Sequence, residues 1–193
     1  MLLLIPGPVA TRPEVRAAMA QDVAPWDNDF RAIYARLRER VLAVAHGVPG
    51  EHAALPLQGC GHFITEAAIR TFIPVGGKLL IPGSGAYADR MTRLAREAGR
   101  VPVVMPIDPN RPTDPAAVAA ALEADPSIGH VGVVYSETGS GVIHDAPAIG
   151  AVVRQAGRRM IVDAVSAFGA LPLDISAQPE IDAALFTSNK CIE

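Results

Sequence analysis

From about position 50 onward, short apolar runs alternate with stretches of helical periodicity, and this alternation limits what the chain can fold into more than any other feature. The runs fall at 53–57, 78–81, 101–105, 130–135, 160–162 and 183–186, and the helical stretches between them at 61–72, 87–98, 114–124 and 146–156. Strands that take turns with helices are joined by crossovers, so they lie parallel, and the helices cover both faces of the sheet. That is why the runs are apolar throughout instead of alternating with polar residues. The expected class is α/β: a mostly parallel sheet with flanking helices, spanning residues 51–193. Residues 1–50 read as an N-terminal arm with helices over 12–20 and 30–45. The second helix places Phe30, Ile33, Tyr34, Leu37, Val41 and Leu42 at helical spacing. The only tryptophan, Trp26, lies in the turn between them.

Composition narrows the function classes. Half of the 193 residues are hydrophobic and 19% are charged, enough apolar surface for a core and too little charge for a disordered chain. The net charge of −3 gives no electrostatic reason to follow a phosphate backbone, so nucleic acid is not an expected partner. The opening Met1 to Ile5 is apolar for five residues before Pro6-Gly7-Pro8, too short for a signal segment. No run approaches the roughly 18 residues of a membrane span. A soluble, cytoplasmic protein is expected. Cys60 and Cys191 have no CxxC or Cys/His cluster around them, so both are expected reduced, with neither a zinc site nor a disulfide framework.

Ligands of parallel sheets bind beyond the carboxyl ends of the strands, which directs attention to the polar residues after each apolar run. Gly59-Cys60-Gly61-His62 enters a helix, and the free N–H groups of a helix start can hold an anion such as phosphate; a plain tight connection is the other reading. Asp163 closes the run 160–162, where a carboxylate is a cap, a structural ion pair or a functional acid. Lys190 follows Asp163 by 27 positions, after the run 183–186, and is either a surface lysine or a desolvated nucleophile. Together these features fit pyridoxal 5'-phosphate, which needs a lysine for its Schiff base, an acid for its pyridinium nitrogen and a cradle for its phosphate. A nucleotide-binding module is disfavoured: Gly59-Cys60-Gly61-His62-Phe63-Ile64 lacks the third glycine of the dinucleotide fingerprint, and no Lys-Ser/Thr pair follows.

Leu4-Ile5-Pro6-Gly7-Pro8, the stretch Val162-Asp163-Ala164-Val165-Ser166-Ala167-Phe168-Gly169 and Ser188-Asn189-Lys190-Cys191-Ile192 resemble the class V aminotransferases of fold type I. Trp26-Asp27-Asn28-Asp29-Phe30, Leu57-Gln58-Gly59-Cys60-Gly61 and Ser136-Glu137-Thr138 look more like the branch acting on 2-aminoethylphosphonate and pyruvate than like the alanine:glyoxylate branch. The resemblance implies transamination giving phosphonoacetaldehyde and alanine, within phosphonate degradation. It implies Lys190 and Asp163 as catalytic residues that also bind the cofactor, and Gly61, His62 and Asn189 at the phosphate. Tyr87 would stack on the pyridine ring with Val165 on its other face, and Thr138 would sit near the phenolic oxygen. A homodimer and small-molecule substrates are implied; no metal and no membrane is. Cys60 and His62 stand where many members carry hydroxyl residues. Members also run on past this lysine into a small domain, so residues 51–193 are expected to be an incomplete large domain. Alanine:glyoxylate or serine:pyruvate transamination and a catalytically silent remnant are the alternative readings.

Overall fold

A computed structural model of the chain describes Leu3, Ile5 and residues 7–192. Met1, Leu2, Leu4, Pro6 and Glu193 lie outside the described residues, so of the opening motif at 4–8 only Ile5, Gly7 and Pro8 are described. The elements in order are α1 (Pro13–Met19), α2 (Asn28–Val44), α3 (Gly61–Phe72), β1 (Lys78–Pro82), α4 (Ala86–Glu97), β2 (Val101–Met105) and α5 (Pro115–Ala124). They continue with β3 (Ile128–Val134), β4 (Ser136–Glu137), β5 (Val142–Ile143), α6 (Ala146–Gln155), β6 (Arg159–Asp163) and β7 (Ile181–Leu185).

Five strands form one sheet in the order β2-β1-β3-β6-β7, every pairing parallel. The expected class therefore stands. Successive residues of each strand point to opposite faces, and the core divides accordingly. Leu80, Val131, Val133, Met160 and Val162 meet α5 and α6 on one side. Leu79, Ile81, Val134, Ile161 and Leu185 meet α3 and α4 on the other. Burial on both faces explains the uninterrupted apolar runs. Pro102 lies in β2, an edge strand, where a residue without an N–H costs the ladder least. At the opposite end from the candidate site, Asp182 of β7 accepts from His130 Nε2 at 3.1 Å and Arg159 Nε at 2.7 Å, joining the amino ends of three strands.

The run at 53–57 is a correction. It pairs with no strand, because side chains of α2 take its carbonyls: Arg38 Nε donates to Ala54 O at 2.9 Å and Tyr34 OH to Pro56 O at 3.5 Å. Leu55 and Leu57 stay exposed. The expected apolar stripe of α2 is present as sequence, yet α2 has no buried residue, and Ile33 and Leu37 are exposed. The short antiparallel hairpin β4–β5 was not foreseen.

Candidate functional site

The sheet changes direction at β1 and β3. The chain leaves β1 for β2 on one side and returns to β3 on the other, so the loops beyond these neighbouring strands diverge and leave a crevice. Asp163 ends β6 with its side chain on the α3/α4 face, two residues beyond Ile161. It is buried, and Val165 N–H donates to its Oδ1 at 3.0 Å. Burial pushes its carboxyl above the usual carboxylate range; the Val165 N–H opposes this, the Glu137 charge adds to it, and Arg90 and Lys190 oppose it as nearby cations. Lys190 is thus one of the charges that act on this buried acid.

Lys190 is half-buried beyond β7, and its Nζ donates to Gly7 O at 3.2 Å. Gly7 lies directly on the aliphatic stem of Lys190, and Val9 N–H donates to Asn189 O at 3.3 Å, so the N-terminal arm rests on the lysine loop. Asn189 itself is exposed.

Gly61 opens α3 above the ends of β6 and β7. A Cβ built on it would lie 3.4 Å from Val165 Cγ2 and 3.6 Å from Thr187 Cγ2, ordinary contact distances, so the helix start sits against both strand-end loops. The backbone N–H groups of Phe63 and His62 lower the Cys60 thiol from the usual thiol range, as expected where a helix start favours negative charge. His62 is half-buried with its ring edge-on to Phe63 at 6.4 Å. Tyr87 lies in the first turn of α4, with the Arg90 guanidinium 5.0 Å from its ring centroid. Thr138, in the turn between β4 and β5, and Val165, just after β6, are half-buried.

Gly61, Val165 and Asp163 are thus brought together, Lys190 acts on Asp163 as a nearby charge, and Glu137 ties Tyr87 to the segment that carries Thr138. Sequence reasoning passed over two residues. Glu137 is fully buried and accepts from Tyr87 N–H, and Arg90 acts on both Asp163 and Cys60. Arg90 was discoverable, since it sits three residues from Tyr87 on one helix face. A groove of about 800 Å³ between α6 and the 172–180 segment is lined by none of these residues.

Residues 14–192 match the family described as aminotransferase class V, and the chain belongs to that family. Similar curated relatives are the 2-aminoethylphosphonate–pyruvate transaminase 2 of Burkholderia lata and transaminase 1 of Cupriavidus pinatubonensis. The first is 46% and the second 43% identical over 192 residues, each alignment covering 100% of this chain and 50% of the relative. The chain therefore spans about half the length of the curated relatives it matches. Among solved structures, pyridoxamine-pyruvate aminotransferase from Mesorhizobium loti superposes with a TM-score of 0.89 at 28% identity, over 99% of this chain and 48% of that one. Alanine–glyoxylate aminotransferase from Nostoc sp. superposes with a TM-score of 0.89 at 25% identity, over 97% of this chain and 49% of that one.

Proposed function

We propose that the protein is a pyridoxal phosphate-dependent transaminase that moves the amino group of 2-aminoethylphosphonate to pyruvate, giving phosphonoacetaldehyde and alanine. The observation that carries the cofactor reading is the convergence of Asp163, Lys190 and the start of α3 at one end of the parallel sheet. The residues present fit the group. The helix start that lowers the Cys60 thiol has N–H groups suited to a phosphate. The raised proton affinity of buried Asp163 suits a partner that shares a proton with it. Gly61 sets that helix start against Val165 and Thr187, the residues beyond β6 and β7. Bound there, the cofactor would supply a ring that withdraws electrons from the substrate carbon.

Lys190 would anchor the cofactor aldehyde and then carry the proton to and from the substrate carbon. Asp163 would hold the proton on the ring nitrogen. Gly61 and His62 would offer backbone N–H groups to the phosphate, with Asn189 beside them; Tyr87 and Val165 would flank the ring, and Thr138 would bond near its phenolic oxygen. The substrate pair rests on the names of the curated relatives and on their identity to this chain. We also read residues 51–193 as part of the cofactor-binding domain, and the protein as a cytoplasmic homodimer. The uncovered side chains of Ile33, Leu37 and Trp26 support the dimer.

Borohydride reduction of the cofactor-loaded protein followed by peptide mapping should place the label on the peptide containing Lys190. A label on Lys78 would overturn the site. Alanine formation from pyruvate should depend on 2-aminoethylphosphonate; formation of glycine from alanine and glyoxylate at a higher kcat/KM would assign the alternative substrate pair.

A further inference from the structure

We infer that Glu137 is a positioning residue of the candidate cofactor site, a buried carboxylate that ties the loops on the two sides of the β1–β3 crevice into one wall. The inference rests on the reading of the site given above. The β1–β3 ladder ends its register at Leu80↔Val131, although β1 runs to Pro82 and β3 to Val134, so the last residues of these strands are not paired with each other. The crevice that opens there needs another tie.

Glu137 supplies it. Its side chain is fully buried, and Oε2 accepts from Tyr87 N–H at 3.2 Å across 50 positions of sequence. Its Oε1 accepts from Gly139 N–H of its own loop at 3.3 Å. The loop after β1 is shaped around this carboxylate: Gly85 has φ +147°, and a Cβ there would lie 2.8 Å from Glu137 Cδ. An acceptor on the first turn of α4 satisfies a helix-start N–H and complements the helix dipole. The consequence reaches the site because Tyr87, whose backbone is held, is the residue read as the ring stack, and Thr138 is the immediate neighbour of Glu137. One carboxylate thus sets the distance between two sides of the pocket. The two N–H groups reach different oxygens of Glu137, and a Gln of the same shape would turn its NH2 donor toward one of them.

The test compares Glu137→Gln and Glu137→Ala with Asp114→Ala, which removes a helix cap remote from the crevice, all in the protein carrying this sequence. Pyridoxal phosphate is titrated in, and three quantities are read: the dissociation constant, the circular dichroism of the cofactor band, and the melting temperature without cofactor. We expect cofactor affinity to fall about tenfold in Glu137→Gln and further in Glu137→Ala, with a weakened dichroic band in both, since a buried donor is left unsatisfied. Asp114→Ala should lower the melting temperature and leave affinity and band at wild-type values. Wild-type affinity and an undiminished band in Glu137→Gln, which keeps the shape and folds, would overturn the inference alone. A Lys190→Ala control separates the two readings: a cofactor band that persists unchanged without Lys190 overturns the site itself.

Discussion

At the residue scale, two buried titratable groups pull stability in opposite directions with pH. Burial raises Asp163, so the folded chain without cofactor holds that proton more tightly than the unfolded chain does. Its contribution is fully present below the ordinary carboxylate value and is lost as pH rises through the raised folded value. Asp163→Asn keeps the shape and removes the charge. The cofactor-free variant should therefore melt above wild type at pH 7.5 and close to it at pH 4, while its affinity for pyridoxal phosphate falls. A lower melting point at pH 7.5 would show that Arg90 and Lys190 outweigh desolvation. His144 behaves the other way. It is almost wholly buried, Thr113 N–H donates to its Nδ1 at 3.0 Å, its Nε2 has no partner, and burial lowers its pKa. The neutral ring is favoured in the fold, so stability is present above the ordinary value of about 6.5 and is lost as pH falls below it. Melting curves between pH 7.5 and 5 should show that decline, and His144→Gln should flatten it. Asp163 and Lys190 were legible because each follows an apolar run. Glu137 was not, since its importance lies in which groups turn toward it.

At the scale of elements, caps and close contacts decide more than propensity does. Asp145 caps α6 by accepting from Ala148 N–H at 2.9 Å. Asp145→Ala should cost about 1 kcal/mol in urea unfolding, the usual loss for such a cap. The packing of α4 on β3 depends on Gly132, where a Cβ would collide with Met91 Sδ, and Met91 is buried. Gly132→Ala is expected to destabilise by roughly 1–3 kcal/mol through overpacking, read as a lower urea midpoint at unchanged slope. Apart from the β4–β5 hairpin, the helices and strands from 61 onward were readable to within a residue or two. The run at 53–57 was misread because periodicity reports apolarity, while a strand also needs a partner with free N–H and C=O groups, and α2 had claimed the carbonyls of Ala54 and Pro56.

At the scale of the molecule, the sheet order creates the crevice, and the segment carrying Gly7 and Val9 lies on the lysine loop. Val41 of the α2 stripe packs against one core, while Ile33 and Leu37, with Trp26 of the preceding turn, stay exposed. If that face is the dimer surface, Leu37→Glu should shift sedimentation toward the monomer while leaving the far-ultraviolet dichroism unchanged; an unshifted boundary places the dimer contact elsewhere. Among the described residues no helix is long and apolar enough to cross a membrane.

The α/β class, the parallel sheet and the strand-end positions of Asp163 and Lys190 followed from the sequence alone. Apolar runs that alternate with helical stretches have few ways to bury themselves, and polar residues at their ends are left at one edge of the sheet. The order β2-β1-β3-β6-β7, the clasp of Glu137 on Tyr87 and the arm over Lys190 were decided only in three dimensions. The clasp and the arm contact join residues 50 and 183 positions apart, and local pattern holds no record of which distant N–H will meet which carboxylate or carbonyl.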